Sequence, residues 1–305
     1  MFVIFGAAGN VGKVSAAALR RAGRDVRAVV PDQQQGEFLA ELGCEVVVAD
    51  LLDAATVARA IEGAHAVQLL CPLPRGHADR AQAMRRMIDV SVAALRVDPP
   101  PRIVALSDYG AEHPAGTGIT TLFHELETQL RTVDSQLTFL RAAEHMHNWA
   151  RVLPLALASG ALPSLHHPLS KRFPTVAAQD VGALAAELLL DDGAQPVSPR
   201  VVSIESAERA SALDVARTLS ELAGRAVVAR EVPRGEWGAM LQGAGLGEHH
   251  ARLITELYDA HNAGRIDVEA GISERRFGAM TLAEVFAAIL PRAAATAATA
   301  AGTAP

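Results

Sequence analysis

Several residue types and patterns are scarce in this chain of 305 residues, and each scarcity argues against a class of protein. Two cysteines, Cys44 and Cys71, are too few for a disulfide framework and suit a reducing cytoplasm. No apolar run approaches the roughly 20 residues of a membrane-spanning helix. The 28 Lys and Arg residues are outnumbered by 34 Asp and Glu residues, a balance that argues against a nucleic-acid partner. No charged leader precedes the first apolar residues, so we expect no signal peptide and a cytoplasmic protein.

Apolar residues make up 50% of the chain, and in its first half they form short strands separated by helix-sized segments. Strands are predicted at MFVIF, DVRAVV, CEVVVAD, HAVQLL, RIVALS and QLTFLRAA, with a later one at RVVSIES. These segments are apolar throughout, which is typical of a parallel sheet covered by helices on both faces. The sequence therefore predicts an α/β fold with a doubly wound parallel sheet of the Rossmann type.

The C-terminal part is predicted to be smaller and mostly helical. The segments LDVARTLSELAG and ARLITELYDAHNAGR have helical spacing of their apolar residues. We expect residues 1–145, joined again by 175–207, to form a dinucleotide-binding domain. Residues 146–174 and 208–292 are then the substrate-binding part, and the Ala/Thr-rich residues 293–305 a disordered tail.

Three glycines, Gly6, Gly9 and Gly12, lie between the first strand and the first predicted helix, in the segment FGAAGNVGKV. A chain that turns from a strand into a helix leaves free backbone N–H groups at the helix N-terminus, where the helix dipole favours anions. Glycine permits a tight turn and a close approach of a pyrophosphate. The pattern predicts a dinucleotide site, and a tight turn without a ligand is the alternative.

The GxxGxxG spacing and the motifs that follow it resemble the NmrA-like branch of the atypical short-chain dehydrogenase/reductases. The matching segments are, in chain order, FGAAGNVGK, VVVADLLD, ALSDYGA, LTFLRAAEHMHNW, TVAAQDVGALAAELLL, LYDAHNAGRI and RRFGAMTLAEV, the last two as C-terminal helices. They extend over about residues 1 to 290. The branch contains triphenylmethane reductase, small quinone reductases, isoflavone-type reductases and NADP-sensing regulators without activity. The resemblance implies a protein that binds NAD(P)H.

The glycine pattern and the resemblance together imply a set of cofactor contacts. Asp50 and Leu51 would lie beside the adenine, and the backbone of Cys71 and Pro72 would pass the ribose and nicotinamide. Cys71 has no evident activating cation in the sequence, so we interpret its thiol as a packing group. The full predicted set is Gly6, Ala8, Gly9, Asn10, Val11, Gly12, Asp32, Asp50, Leu51, Cys71, Pro72 and Ser107.

Asp32 bears on the choice between NADH and NADPH, because it follows Gly12 by 20 residues. An acid near this position hydrogen-bonds the ribose 2′-hydroxyl of NAD. Many relatives place an arginine just after the second strand for the 2′-phosphate of NADP, where this chain has Pro31. The sequence favours NADH on this ground. Two alternatives are that Asp32 only caps the next helix and that Lys13 reaches a phosphate.

The chain lacks the Tyr-x-x-x-Lys pair that classical members of the superfamily use. Its only lysines are Lys13 and Lys171, and the fourth residue after Tyr109 is His113. Ser107 stands where the classical serine would be. The candidate proton donors are His124, Tyr109 and His147.

His124 and Glu127 lie three residues apart on a predicted helix, so their side chains share a face. Relatives more often have a spacing of four, which falls here on Phe123. His124 is therefore a candidate proton donor or ribose-binding residue, and a surface pair with Glu127 is the alternative.

The segment AEHMHNW follows the sixth strand and is the predicted wall of the substrate pocket. An aromatic ring, a thioether and hydrogen-bonding groups suit a planar, conjugated substrate, although helix packing and capping are an alternative. No metal is predicted, because no acidic or cysteine partner completes a metal-ligand spacing, and His166–His167 and His249–His250 are interpreted as loop or surface histidines. The predicted substrate contacts are His145, Met146, Asn148 and Trp149.

Two functions remain in view. The first is an NAD(P)H-dependent oxidoreductase that transfers hydride to a quinone-like or other conjugated small molecule, with the hydride chemistry supplied by the cofactor. The second is a non-catalytic dinucleotide-binding redox sensor that acts through a protein partner. A sugar epimerase is disfavoured, because that chemistry normally needs the Tyr–Lys pair. We expect a monomer or a homodimer.

Overall fold

The computed structural model describes residues 1–74, 76–77, 79–193 and 198–291. Within these ranges no helix combines the length and the apolar character that a bilayer crossing requires. The predicted tail, residues 293–305, lies outside the described residues.

Twelve strands are found in the described ranges. They are β1 (Phe2–Phe5), β2 (Val26–Val30), β3 (Glu45–Val48), β4 (Ala66–Leu69), β5 (Arg102–Asp108), β6 (Gln136–Ala142), β7 (Glu144–His145), β8 (Ala161–Ser164), β9 (Thr175–Val176), β10 (Arg200–Ser206), β11 (Val228–Glu231) and β12 (Glu274–Gly278).

The α-helices of the same ranges are α1 (Asn10–Arg21), α2 (Glu37–Glu41), α3 (Ala54–Ile61), α4 (Arg80–Val97), α5 (Thr120–Leu130), α6 (Leu153–Ser159), α7 (Ala178–Leu190), α8 (Ala212–Ala223), α9 (Trp237–Gly243) and α10 (Glu248–Asn262). A further helical segment covers residues 282–291.

The main sheet has eight strands in the order β12-β10-β6-β5-β4-β1-β2-β3, and every pairing in it is parallel. Alternate residues of its strands feed two separate cores. Ile4 lies in the core beneath α1 and α7, and Phe5 lies in the core beneath α3, α4 and α5. This arrangement confirms the predicted doubly wound parallel sheet, because strands covered on both faces need apolar side chains at every position.

Strand β12 departs from the prediction of helix for RRFGAMTLAEV. Residues 274–278 extend the sheet beside β10, whereas residues 282–291 are helical as expected. The side chains of this edge strand are held by ion pairs with residues that are distant in sequence, Arg275 to Glu205 and Arg276 to Glu187. Such tertiary contacts leave no periodic pattern in the sequence, so the helix prediction was wrong for this segment.

The smaller part is built on two short parallel strand pairs, β7 with β9 and β8 with β11, together with α6, α8, α9 and α10. It has its own apolar core, in which Met146 and Trp149 pack with Leu153, Val215 and Phe286. The mostly helical character predicted for this part is confirmed. Its division from the first domain by residue range stays a prediction.

Candidate functional site

The turn between β1 and α1 is shaped by its glycines. Gly6 has a positive φ of 71°, and its carbonyl accepts a hydrogen bond from Gly9 N at 2.9 Å. A Cβ on Gly12 would lie 2.3 Å from Gly6 O, closer than real side chains come. A Cβ on Gly9 would lie 3.2 Å from the same oxygen. The backbone of the turn is therefore pressed against the first turn of α1 in a way that only glycine at position 12 permits.

The N-terminus of α1 combines the features of an anion site. Gly9 is its N-cap, and within the described residues no side chain caps the helix and no acidic residue stands in its first turn. The first N–H groups of a twelve-residue helix thus point out at the carboxyl end of β1 with the positive end of the dipole. This is the position in which a Rossmann fold holds a pyrophosphate. Ala8, Asn10 and Val11 lie in or beside this turn.

The predicted adenosine contacts lie at the same edge of the sheet. Asp32 follows β2 and Asp50 follows β3, and both are exposed. Asp32 accepts hydrogen bonds from the backbone N and the side-chain amide of Gln35, so it does cap the following turn. Asp50 Oδ1 accepts a hydrogen bond from Leu52 N at 2.9 Å, which fixes the turn that contains Leu51. Both aspartates therefore have a structural partner within their own loop.

Cys71 and Pro72 follow β4, the other neighbour of β1, at the point where the strand order reverses. In sheets of this type ligands bind in the crevice at that switch point. Cys71 is fully buried, and burial raises the pKa of its thiol to about 12. The geometry agrees with a packing role for this side chain, while its backbone remains at the crevice.

Ser107, at the end of β5, is part of a buried network. Its hydroxyl donates to Glu127 Oε1 at 2.6 Å, and Glu127 also accepts from Arg141 Nε and Nη2 at 2.9 and 2.7 Å. Arg141 Nη1 in turn donates to Glu112 and Glu269. The network fixes α5 against β5 and β6. The hydroxyl proton of Ser107 is therefore committed to Glu127.

The three predicted proton donors have unlike surroundings. His124 is half-buried, and its Nδ1 lies 2.8 Å from Ala111 O, so the hydrogen bond places a proton on Nδ1. The alternative of a surface pair with Glu127 is wrong, because Glu127 is buried against Ser107 and Arg141.

Tyr109 is buried and donates to Glu205 Oε1 at 3.3 Å. Burial and the Glu205 charge raise its pKa, which is opposite to the tuning that proton transfer near neutral pH needs. Burial lowers the pKa of the third candidate, His147, and its Nδ1 has no partner among the described residues. The surroundings of Tyr109 and His147 therefore support a role as proton donor less strongly than those of His124.

The segment AEHMHNW divides between a cavity and the interior. Asn148 and Trp149 lie in a cavity wall, whereas Met146 is buried in the core of the smaller part. Burial lowers the pKa of His145 to about 4, with a further contribution from His147, so His145 is neutral at pH 7. Trp149 is also largely buried, and its indole Nε1 has no partner in the part of the chain that the structure describes. A bound molecule could satisfy this donor.

The cavity has a volume of about 310 Å³ and begins directly after β6. Its walls come from the segment after β6, from β8 and from α6, α9 and α10, and most of them are apolar. The lining residues are Glu144, Asn148, Trp149, Arg151, Val152, Leu155, Pro163, Leu165, His166, Met240, Leu241, Ala244, Leu246, Ile254, Leu257 and Tyr258.

Two polar residues of this wall, Glu144 and His166, form a pair that the sequence does not reveal. His166 Nε2 donates to Glu144 Oε2 at 3.0 Å, and Tyr258 Oη donates to Glu144 Oε1 at 3.5 Å. The His166 ring stacks on Phe173 with a centroid distance of 3.5 Å. His166 lies in the loop that follows β8, as one of the two interpretations expected, but it is buried and is not a surface histidine. The one available signal was an acid, Glu144, directly after the buried strand β6.

A third ring, that of His261, completes a cluster whose ligand-type atoms all lie within 4.8 Å of one another. Its Nε2 lies 3.9 Å from Glu144 Oε2. These side chains come from three distant stretches, so sequence spacing could not have brought them to notice. The hydrogen bond between His166 and Glu144 accounts for the proximity of that pair without an ion, and the expectation of no metal stays a prediction.

Comparison with known proteins supplies the wider context. The chain is similar in structure to the NADPH-dependent quinone oxidoreductase of Escherichia coli solved with NADPH, with a TM-score of 0.79 and 20% identity over 95% of this chain and 100% of that one. It is similar to the Citrobacter sp. triphenylmethane reductase complexed with NADP(H), with a TM-score of 0.75 and 21% identity over 97% and 100% of the two chains.

A nucleoside-diphosphate-sugar epimerase of Staphylococcus aureus also aligns, with a TM-score of 0.75 and 16% identity over 94% of this chain and 99% of that one. At these identities the likeness establishes a shared fold. No curated protein matches the chain by sequence. The model of the NmrA-like family, however, matches residues 1–285. The chain therefore belongs to the NmrA-like family.

Proposed function

We propose that the protein is an NAD(P)H-dependent oxidoreductase that reduces a quinone-like or other conjugated small molecule. The observation that carries this proposal is the glycine turn, in which a Cβ at Gly12 would lie 2.3 Å from the Gly6 carbonyl oxygen at an uncapped helix N-terminus. Membership of the NmrA-like family supports it. So does the likeness to two solved neighbours, an NADPH-dependent quinone oxidoreductase and a triphenylmethane reductase complexed with NADP(H).

The residues of the crevice fit a dinucleotide. The backbone from Gly6 to Gly12 would hold the pyrophosphate, Asp32, Asp50 and Leu51 the adenosine, and the backbone of Cys71 and Pro72 the nicotinamide riboside. The bound cofactor supplies a hydride. The chain's own residues bind and orient it, exclude water and provide a proton.

The choice between the two dinucleotides depends on the end of β2. The two reductase neighbours were solved with NADPH or NADP(H), whereas this chain has Pro31 and Asp32 and no basic residue from position 31 to 37. A 2′-phosphate beside Asp32 would be repelled. We propose that Asp32 weakens binding of NADPH relative to NADH.

The double change Pro31→Arg with Asp32→Ser is expected to shift the ratio of the two dissociation constants towards NADPH by about tenfold or more, roughly 1.4 kcal/mol. Calorimetry at low salt measures it. Asp32→Asn removes the charge while keeping an acceptor for the Gln35 backbone N–H, and should give part of the shift. If neither variant changes the ratio, Asp32 is only a cap.

The acceptor site is proposed to be the apolar cavity after β6. A volume of about 310 Å³ suits a small ring system, and the Trp149 indole and the Tyr258 ring offer aromatic contacts. The chain has only two tryptophans, and Trp237 does not line this cavity. Quinone binding should therefore quench the tryptophan fluorescence of the wild type and of Trp237→Phe, which keeps Trp149. In Trp149→Phe this quenching should be absent. Equal quenching of both variants would contradict the assignment of the cavity.

A non-catalytic redox sensor is the second candidate. It is favoured by the missing Tyr–Lys pair and by the engagement of the Ser107 hydroxyl with buried Glu127. One screen distinguishes the two functions. It follows the oxidation of NADH and NADPH at 340 nm in the presence of quinones, triphenylmethane dyes or enones. The reductase predicts acceptor-dependent oxidation with at least one class. Tight dinucleotide binding without oxidation by any acceptor would leave the sensor.

The cytoplasmic location, the absence of a nucleic-acid partner and the monomeric or homodimeric state stay predictions.

A further inference from the structure

We propose that His166 is the proton donor to the acceptor bound in the cavity and that Glu144 positions it. This inference rests on the proposed reductase function, and it places proton donation at a residue other than His124, Tyr109 and His147.

The geometry of the pair is that of a carboxylate that orients an imidazole. His166 Nε2–H is held by Glu144 Oε2 at 3.0 Å, and the stack on Phe173, inclined by 9°, fixes the plane of the ring. With Nε2–H committed to Glu144, Nδ1 is the ring nitrogen that remains to give a proton. Both residues line the cavity, in which most other side chains are apolar. A planar molecule bound in the cavity would therefore contact mostly apolar side chains, and His166 would be its proton source.

The side chains around the pair set the charge of Glu144. Burial alone raises the pKa of the Glu144 carboxyl, but His166 and the Tyr258 hydrogen bond outweigh it and hold that pKa below its ordinary value. Glu144 is therefore an anion at neutral pH, and it accepts the hydrogen bond of His166 Nε2. Burial lowers the pKa of His261 to about 4, so that ring stays neutral. Burial raises the pKa of Tyr258, which keeps its proton.

Other ionisable groups also act on this cluster from neighbouring elements. Asp108, at the end of β5, and Glu144 repel each other, and burial with this repulsion raises the pKa of Asp108 to about 7. The charge of Arg151 lowers the pKa of Tyr258 and so opposes the effect of burial. The charge of Lys171 lowers the pKa of His261, in the same direction as burial. Protonation of Asp108 below pH 7 removes a second negative charge from beside Glu144.

The step balances for a quinone. Hydride from the reduced dinucleotide brings two electrons and one hydrogen, which gives the hydroquinone monoanion and the oxidised dinucleotide. The N–H bond at His166 Nδ1 breaks as an O–H bond forms on the anion. His166 becomes neutral with its remaining proton on Nε2, and solvent restores the lost proton. Because the donor must be protonated, the turnover rate is expected to fall as pH rises.

The test measures kcat against pH with NADH and 1,4-benzoquinone. His166→Gln should lower kcat about 100-fold, a typical loss for a general acid, and abolish the falling limb of the profile. Glu144→Gln should also lower kcat, since the carboxylate that orients the His166 ring is gone. NADH affinity should stay unchanged in both variants. His167→Gln is the matched control, because its ring pairs with the half-exposed Glu231 and lies outside the cavity wall.

A second readout does not depend on turnover. Long-range ¹H–¹⁵N spectra, assigned with His166→Gln, should find neutral His166 protonated on Nε2 in the wild type, and this preference should weaken in Glu144→Gln. A wild type protonated on Nδ1 would overturn the inference, as would a pH profile of His166→Gln equal to that of the wild type. Stoichiometric Zn²⁺ binding that Glu144→Gln abolishes would also overturn it. A wild type without any acceptor activity would remove the proposed function and this inference together.

Discussion

At the scale of single residues, Gly9 and Gly12 have separable roles although the sequence presents them as one motif. A Cβ on Gly12 would lie 2.3 Å from Gly6 O and 2.7 Å from Ala7 Cα, both backbone atoms that cannot rotate away. A Cβ on Gly9 would approach only Gly6 O, at 3.2 Å. Gly12 therefore serves the fold, whereas a side chain at Gly9 would need only a small shift of the turn and would lie beside the anion site.

Gly12→Ala is expected to destabilise the protein by about 1–3 kcal/mol, the usual cost of an overpacked site. Gly9→Val should instead retain most stability and lower dinucleotide affinity at least tenfold, because the side chain occupies the space next to the helix N-terminus. Thermal melts and calorimetric titrations separate the two effects. Gly238→Ala, where a Cβ meets nothing within 4 Å, is the control for both. Undiminished affinity in folded Gly9→Val would contradict the assigned cradle.

At the scale of elements, the position of α1 depends on α7, a helix more than 150 residues later in the chain. A Cβ on Gly182 would lie 2.5 Å from Val11 O and 2.7 Å from Val14 Cβ. Ser15 Oγ donates to Gly182 O at 3.1 Å in the same buried contact. The two helices thus meet backbone to backbone. Helix α7 therefore fixes the position of the α1 N-terminus, which forms the anion site.

Gly182→Ala is expected to push α1 away from α7. Because Val11 lies in the first turn of α1, both the melting temperature and dinucleotide affinity should fall, the latter by about tenfold. The exposed neighbour Ala183, changed to Ser, is the matched control and should alter neither quantity. A loss of stability with unchanged affinity would show that the anion site tolerates movement of the helix.

At the scale of the whole molecule, buried charge ties the sheet to the smaller part. Arg141 on β6 is 3% exposed and pairs with Glu127 on α5 and with Glu269, beyond α10. Glu205 on β10 is fully buried and pairs with Arg209 and with Arg275 on β12. Ionised groups without water need every partner, so the pairs of Glu269 and Arg209 hold the smaller part against the sheet, and the pair of Arg275 holds β12 against β10.

Arg141→Met should lower the free energy of unfolding by about 3–5 kcal/mol, because it leaves the buried Glu127 carboxylate without its partner. Adding Glu127→Gln should recover part of the loss, which denaturant titrations of the single and double variants would measure. Arg200→Met is the control, since its pair with Glu274 is much more exposed and should contribute 0–1 kcal/mol. Equal losses for the two arginines would contradict the proposed role of burial.

The sequence by itself determined the parallel sheet and the glycine turn. Both depend on local patterns. Apolar runs of strand length and glycines at a strand–helix junction favour the same local structure whatever the rest of the chain does. It also indicated the segment after β6 as part of a pocket, of which Asn148 and Trp149 lie in the cavity wall.

Only the tertiary structure decided the rest. Residues 274–278 became a strand because β10 offered a free edge and Glu205 and Glu187 offered partners. Glu127 joined Ser107 and Arg141 because α5 packs on β5 and β6. Glu144 met His166 because β7 and the residues after β8 meet at one cavity. These pairings join residues from separate stretches, whose partners are chosen by packing and charge in three dimensions and not by spacing along the chain.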